Sequence, residues 1–129
     1  MKAPYADKGF LVSRWYSFRA ALSGARFTLR SQPNAWIELT AAAVVIVAGW
    51  WLQIKPVEWA IVALTLGMIL ALEAVNTAIE ATVDLISHDY HPLAKIAKDA
   101  ASGALIFAVL GSLGVAVAIF GPYLWRLIQ

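Results

Sequence analysis

Glu73, Asn76, Glu80 and Asp84 are the residues of this 129-residue chain whose types and spacing could do chemistry. At 100° per residue on a helix they fall at about 0°, 300°, 340° and 20°, an arc of about 80°. One face of one helix therefore carries three carboxyls and an amide. A carboxylate in partly desolvated surroundings can take a proton from an alcohol, and carboxylates nearer water can hold Mg²⁺ through hard oxygen ligands. Together these are the parts of a phosphoryl transfer. The same spacing also suits a plainer role, in which Asn76 and the acids join helices by hydrogen bonds.

The elements that position this face are apolar. The chain is 61% hydrophobic with a mean hydropathy of +0.72, more apolar surface than a small soluble core can bury. Three stretches stand out: Trp36 to Leu52, Trp59 to Leu72 with a helical pattern continuing to Ile86, and the uncharged run Ala100 to Trp125. Crossing a hydrocarbon layer about 30 Å thick takes about 20 residues. The expected fold is all-α and integral to a membrane, a single domain over residues 1–129 with spans at about 35–54, 58–86 and 98–125. Trp50, Trp51, Trp59 and Trp125 fall near the proposed helix ends, the level where amphipathic aromatics settle. Pro56 is placed to end one helix and open the next, making a tight hairpin. The second connection, Ser87 to Lys95, is longer and polar, with Pro92 biasing His91 away from helix.

Counted inward from Glu58, Glu73 lies about 22 Å along the axis, inside or at the inner edge of the hydrocarbon. A carboxyl at that depth must face a bundle interior, a partner charge or a watery cleft. Lys2, Lys8, Arg14, Arg19, Arg26, Arg30, Lys95 and Lys98 lie on one side of the spans and only Lys55 and Arg126 on the other. That bias predicts a cytoplasmic N-terminus and polar loop and an external C-terminus. Over about residues 10–31, Trp15, Phe18, Leu22, Ala25 and Leu29 recur at helical spacing beside Arg19, Arg26 and Arg30. The pattern reads as an amphipathic helix on the inner membrane surface, or as one packed on its own protein.

Lys98 and Asp99 are expected at the start of the third span. Lys98 could offset phosphate charge, or it could snorkel or complete an ion pair. His88 and His91 with Asp89 between them could suggest a metal site, but a solvated loop accounts for them better. Gln32 and Glu38 flank the start of span one, Glu38 as a buried partner or a helix-end charge. No cysteine is present, so thiolate chemistry and disulfides are excluded, and any metal rests on oxygen or His. The layout of a cleaved signal peptide is missing, so the N-terminal region is expected in the mature protein. No Walker loop, dinucleotide fingerprint or kinase catalytic loop occurs, and the scattered basic residues give no reason to expect nucleic acid.

The run Glu73-x-x-Asn76-x-Ala78-Ile79-Glu80-x-x-x-Asp84, followed by Tyr90-His91-Pro92-Leu93-Ala94-Lys95-Ile96-Ala97-Lys98-Asp99, resembles the small bacterial membrane lipid kinases of the diacylglycerol kinase and undecaprenol kinase family. The resemblance runs from about Ser17 into the third span. Ser17, Phe18, Gly24, Asn34, Glu58-Trp59 and the run from His91 to Asp99 resemble the undecaprenol kinase branch more closely. It implies a homotrimer of three-span subunits in the bacterial inner membrane, using ATP and Mg²⁺ at the cytoplasmic face to phosphorylate a lipid alcohol, undecaprenol or diacylglycerol. Sites shared between subunits would hide the acidic face from lipid. By the same resemblance Glu73 is the general base and Asn76 helps to orient the site. Glu80 ligates the metal, and Glu80, Asp89, Tyr90, His91, Lys98 and Asp99 contact the nucleotide. Arg26, Asn34 and Asp84 fall on the substrate side with Glu73.

One position departs from the pattern. Where the family usually has a second metal-binding glutamate stands Gln32, whose amide oxygen can ligate Mg²⁺ but adds no negative charge. Glu38, six residues on and about 240° around a helix, is expected to be a poor substitute. Two further readings stay open: a non-catalytic lipid- or nucleotide-binding membrane protein of the same fold, and a small proton-linked transporter component using the intramembrane acids.

Overall fold

The computed structural model describes residues 9–129; Lys2 and Lys8 of the charge count lie outside them. The described residues form four helices: α1 (Phe10–Ser31), α2 (Pro33–Leu52), α3 (Pro56–Ile86) and α4 (Pro92–Leu127). A proline opens each of the last three, where its missing N–H costs no hydrogen bond and its fixed φ suits the first helical turn. The last three are long and apolar enough to cross a membrane. At 31 and 36 residues, α3 and α4 run about 46 and 54 Å, well beyond a hydrocarbon layer of about 30 Å. Most large side chains on their outer faces, Leu64, Phe107 and Val117 among them, are exposed, the surface expected where lipid or another apolar body is the solvent.

At the α2–α3 hairpin, Gln53 takes a left-handed conformation (φ 52°) and the Ile54 N–H returns to the Gly49 carbonyl at 3.1 Å. That turn folds Ile54 and Trp59 back onto Gly49, where a Cβ would stand 2.9 Å from Trp59 Cη2. Gly49 is thus fixed by close approach. Gly49→Val should lower stability by about 1–3 kcal/mol through overpacking, read as an earlier midpoint in denaturing-detergent titration followed by circular dichroism. Beside it the Glu58 carboxylate accepts from the Lys55 N–H at 2.6 Å and from the Tyr123 hydroxyl at 2.7 Å. The second bond ties the far end of α4 to the hairpin.

The other connection is shorter than the sequence suggests. Only Ser87 to His91 lies outside helix, because α4 begins at Pro92 rather than at about residue 98. His91 is extended, as expected before proline, and its Nδ1 accepts from the Leu93 N–H at 3.2 Å. This cap lets the helix start early and places Lys95, Lys98 and Asp99 on its first turns. A five-residue loop and contacts at both ends hold α3 and α4 antiparallel as the most extensively packed pair; α1 and α2 pack on α3 more lightly.

Candidate functional site

The acidic face is carried on α3 where α1 and α2 join. Gln32, extended at φ −105° and ψ 114°, is the one residue between those helices. Its backbone N–H closes α1 on the Thr28 carbonyl at 3.0 Å, and Pro33 opens α2. The joint leaves the Gln32 side chain free to cross to α3, where its Nε2 donates to Glu80 Oε2 at 2.8 Å. One turn before Glu80, Asn76 Nδ2 donates to Glu80 Oε1 at 3.1 Å. Both oxygens of Glu80 are therefore held by neutral amides, one local and one 48 residues away.

Glu73 is fully buried, Asn76 is 5% exposed and Glu80 is half-buried. The chain's own helices thus hide Glu73, with no need of a neighbouring subunit to do so. Among the described residues neither Glu73 oxygen has a hydrogen-bond partner, nor do Asn76 Oδ1 and Glu38 Oε2. Glu38 and Glu80 are both within electrostatic reach of Glu73. The expectation that Glu38 stands about 240° from Gln32 fails, because Gln32 lies outside α2 and a helical angle between them has no meaning. Each of these four buried acceptor oxygens is costly to leave unpaired, so a hydroxyl or a hard cation reaching any of them would be favoured. Thr77, also buried, donates its hydroxyl to the Glu73 carbonyl at 2.9 Å.

A second grouping surrounds the short loop. Asp84, Asp89, Tyr90, His91, Lys98 and Asp99 line one cleft of about 400 Å³ together with Lys95. Lys98 Nζ donates to Asp84 Oδ1 at 2.5 Å, pinning α4 to α3, and Lys95 pairs with Asp99 one turn away. Lys98 is therefore half of an ion pair here, and Asp84 faces this cleft at the end of the acidic strip. Both pairs are largely exposed, so each adds little to stability. The N-terminus of α4, with two lysines on its first turns, is favourable ground for an anion. The structure adds Lys95 to this cleft, and its spacing of four from Asp99 is the sequence signal that points to it.

Arg26, exposed on α1, lines a separate cleft of about 540 Å³ with Arg30, and Asn34 is exposed in the first turn of α2. Among the described residues neither makes a hydrogen bond or ion pair to Glu73, Asn76 or Glu80. Glu38 lines a further cavity of about 260 Å³ between α2, α3 and α4, whose walls include Val45, Val62, Leu66, Ile69 and Leu113. Among the described residues no three His, Cys, Asp or Glu side chains converge as a metal cage. His88, Asp89 and His91 do not form one. The Gln32 and Asn76 amides face Glu80 with their nitrogens; with their carbonyl oxygens turned inward instead, the ligands would all be oxygen, a set that suits Mg²⁺ better than a nitrogen- or sulfur-seeking metal.

Residues 19–120 match the family model for prokaryotic diacylglycerol kinase. Undecaprenol kinase of Bacillus subtilis is 43% identical over 109 residues, covering 84% of this chain and 88% of that protein. Diacylglycerol kinase of Synechocystis is 38% identical over 112 residues, covering 86% and 64%. Diacylglycerol kinase of Escherichia coli K12 is 29% identical over 115 residues, covering 84% and 91%.

Proposed function

This chain belongs to the prokaryotic diacylglycerol kinase family, and from that premise we propose that it transfers the γ-phosphoryl group of ATP to a membrane lipid alcohol. The observation that carries the reading is the fully buried Glu73 carboxyl, unpartnered among the described residues, about two helical turns before the amide-held Glu80. A lipid hydroxyl donates to Glu73, which takes its proton as the oxygen attacks the γ-phosphorus. A new O–P bond forms, the bond to the β–γ bridging oxygen breaks, and ADP leaves with that oxygen.

Glu80 and the amide oxygens of Asn76 and Gln32 would hold Mg²⁺, which neutralises charge on the phosphates. Asp89, Tyr90, His91 and Asp99 frame the loop cleft that takes the nucleotide, and Lys98 turns from Asp84 to the phosphates. Lys98→Met should raise KM for ATP about tenfold, in line with loss of one charge-assisted contact, with little change in KM for lipid. A steady-state titration of ATP checks this. The apolar cavity beside Glu38 suits a lipid tail whose hydroxyl end reaches Glu73.

Undecaprenol is the first candidate acceptor and diacylglycerol the second, following the higher identity to the undecaprenol kinase. On this reading the loop end of the bundle is cytoplasmic, with α1 lying on the inner leaflet through Trp15, Phe18 and Leu22, all exposed. Arg26 and Asn34 belong to the headgroup side, and three copies assemble so that neighbouring subunits complete each site. The deciding experiment incubates purified protein with Mg·ATP and each lipid side by side. Phosphorylation of undecaprenol above diacylglycerol is expected. Phosphorylation of neither, with ATP still bound, would replace the enzyme by a binding protein of the same fold.

A further inference from the structure

Glu80 is a carboxylate whose two oxygens are each engaged by a neutral N–H donor, from Gln32 at 2.8 Å and Asn76 at 3.1 Å. This arrangement satisfies the charge without a cation. It also stands in a cation's way, because the same lone pairs would have to bind the metal. Asparagine and glutamine carry a donor and an acceptor on one planar group, so a half-turn replaces N–H by C=O. Asn76 Oδ1 is buried and without a partner, so turning it towards Glu80 gives up no hydrogen bond to that oxygen.

We propose that Gln32 and Asn76 form a reversible amide clamp that holds Glu80 in the cation-free state and turns its carbonyl oxygens inward when a divalent cation arrives. The cation then comes with the nucleotide and is not held beforehand. The second statement rests on the kinase reading above; the first does not. After both amides turn, the donor set is one carboxylate and two carbonyls. That single formal charge gives a low affinity for a free divalent ion, since affinity follows ligand charge. Phosphate oxygens supply the missing charge when the ion is delivered on ATP. Glu80 acts on Glu73 electrostatically, but neither Glu73 oxygen joins the clamp. Because Gln32 is also the joint between α1 and α2, releasing its N–H from Glu80 loosens the link from that joint to α3. Gln32 is thus a positioning residue for Glu80.

The test uses the full chain in detergent micelles without nucleotide, first in EDTA and then with MnCl₂, reading free Mn²⁺ by electron paramagnetic resonance and unfolding by circular dichroism. Gln32→Glu sets two carboxylates against each other. It should lower Tm in EDTA, regain it with Mn²⁺, and bind free Mn²⁺ at least about tenfold more tightly than the parent, as an added ligand charge requires. Gln32→Leu should lower Tm in EDTA with no recovery on adding Mn²⁺. The exchange Gln32→Glu with Glu80→Gln restores one amide and one carboxylate and should restore the parental Tm in EDTA. Equal Mn²⁺ affinity of parent and Gln32→Glu would overturn the clamp, as would a double exchange no more stable than Gln32→Glu alone. If Gln32→Glu folds in neither condition, the double exchange decides by itself. Failure of the parent to phosphorylate lipid would end the kinase reading and leave these measurements of the clamp standing.

Discussion

Glu73→Gln is expected to lower kcat for lipid phosphorylation by about 10²- to 10⁴-fold, the range that a positioned general base contributes. The two side chains are nearly isosteric, so the cavity around the site is kept and KM for ATP and lipid should move little. Loss of kcat alone means that the removed interaction is made in the transition state. The glutamine amide also brings N–H donors into a region where Glu38 Oε2 and Asn76 Oδ1 are buried and unpartnered. The variant should therefore unfold no earlier than the parent, and a well-folded inactive protein separates a chemical role from a structural one. Initial rates with radiolabelled ATP and undecaprenol measure the effect. A decrease of only a few-fold would remove Glu73 from the base role, leaving it as a buried helix-joining group.

Glu80→Ala is the second large effect. It removes the only carboxylate in the clamp, and kcat/KM for Mg·ATP should fall by about 10²- to 10³-fold, the scale seen when one preorganised electrostatic partner of a transition state is lost. It also strands the Gln32 and Asn76 N–H donors, which costs about 1–3 kcal/mol in stability where no water replaces the acceptor. Activity is therefore compared at a temperature where circular dichroism shows both proteins folded. Retention of more than about a tenth of parental kcat/KM, an effect under about 1.4 kcal/mol, would take Glu80 out of the nucleotide site. Rescue of stability by a second change, Gln32→Leu, would show that the stranded donor accounts for the unfolding and that the activity loss is separate from it.

Glu73 and Glu80 were legible before any fold because a helix repeats every 3.6 residues and they fall on one strip of it. The prolines were legible too. Pro33, Pro56 and Pro92 each open a helix, and at Pro56 and His91-Pro92 local sterics were enough to foresee the break. Hydropathy overstates the length of the polar loop because it marks where a helix becomes apolar, not where it begins, and α4 already begins at Pro92. Lys95, Lys98 and Asp99 are polar but already helical, held by the His91 cap. Lys98 could equally have been free, snorkelling or paired from sequence alone; Asp84 decides it, from another helix.

What the sequence alone determined is therefore what short range controls: four helices, three of them long and apolar, an acidic strip on α3 and the turns between them. Dihedral preference and hydrophobic period act over a few residues, and both can be counted. The tertiary structure decided which groups meet. Gln32 reaches Glu80 across 48 residues because α1 and α2 break at that one residue, and Glu38 comes within electrostatic reach of Glu73 because α2 lies along α3. It also decided that Glu73 is buried by its own chain. Burial and pairing depend on how helices pack, a property of surfaces brought together, and no local spacing encodes it.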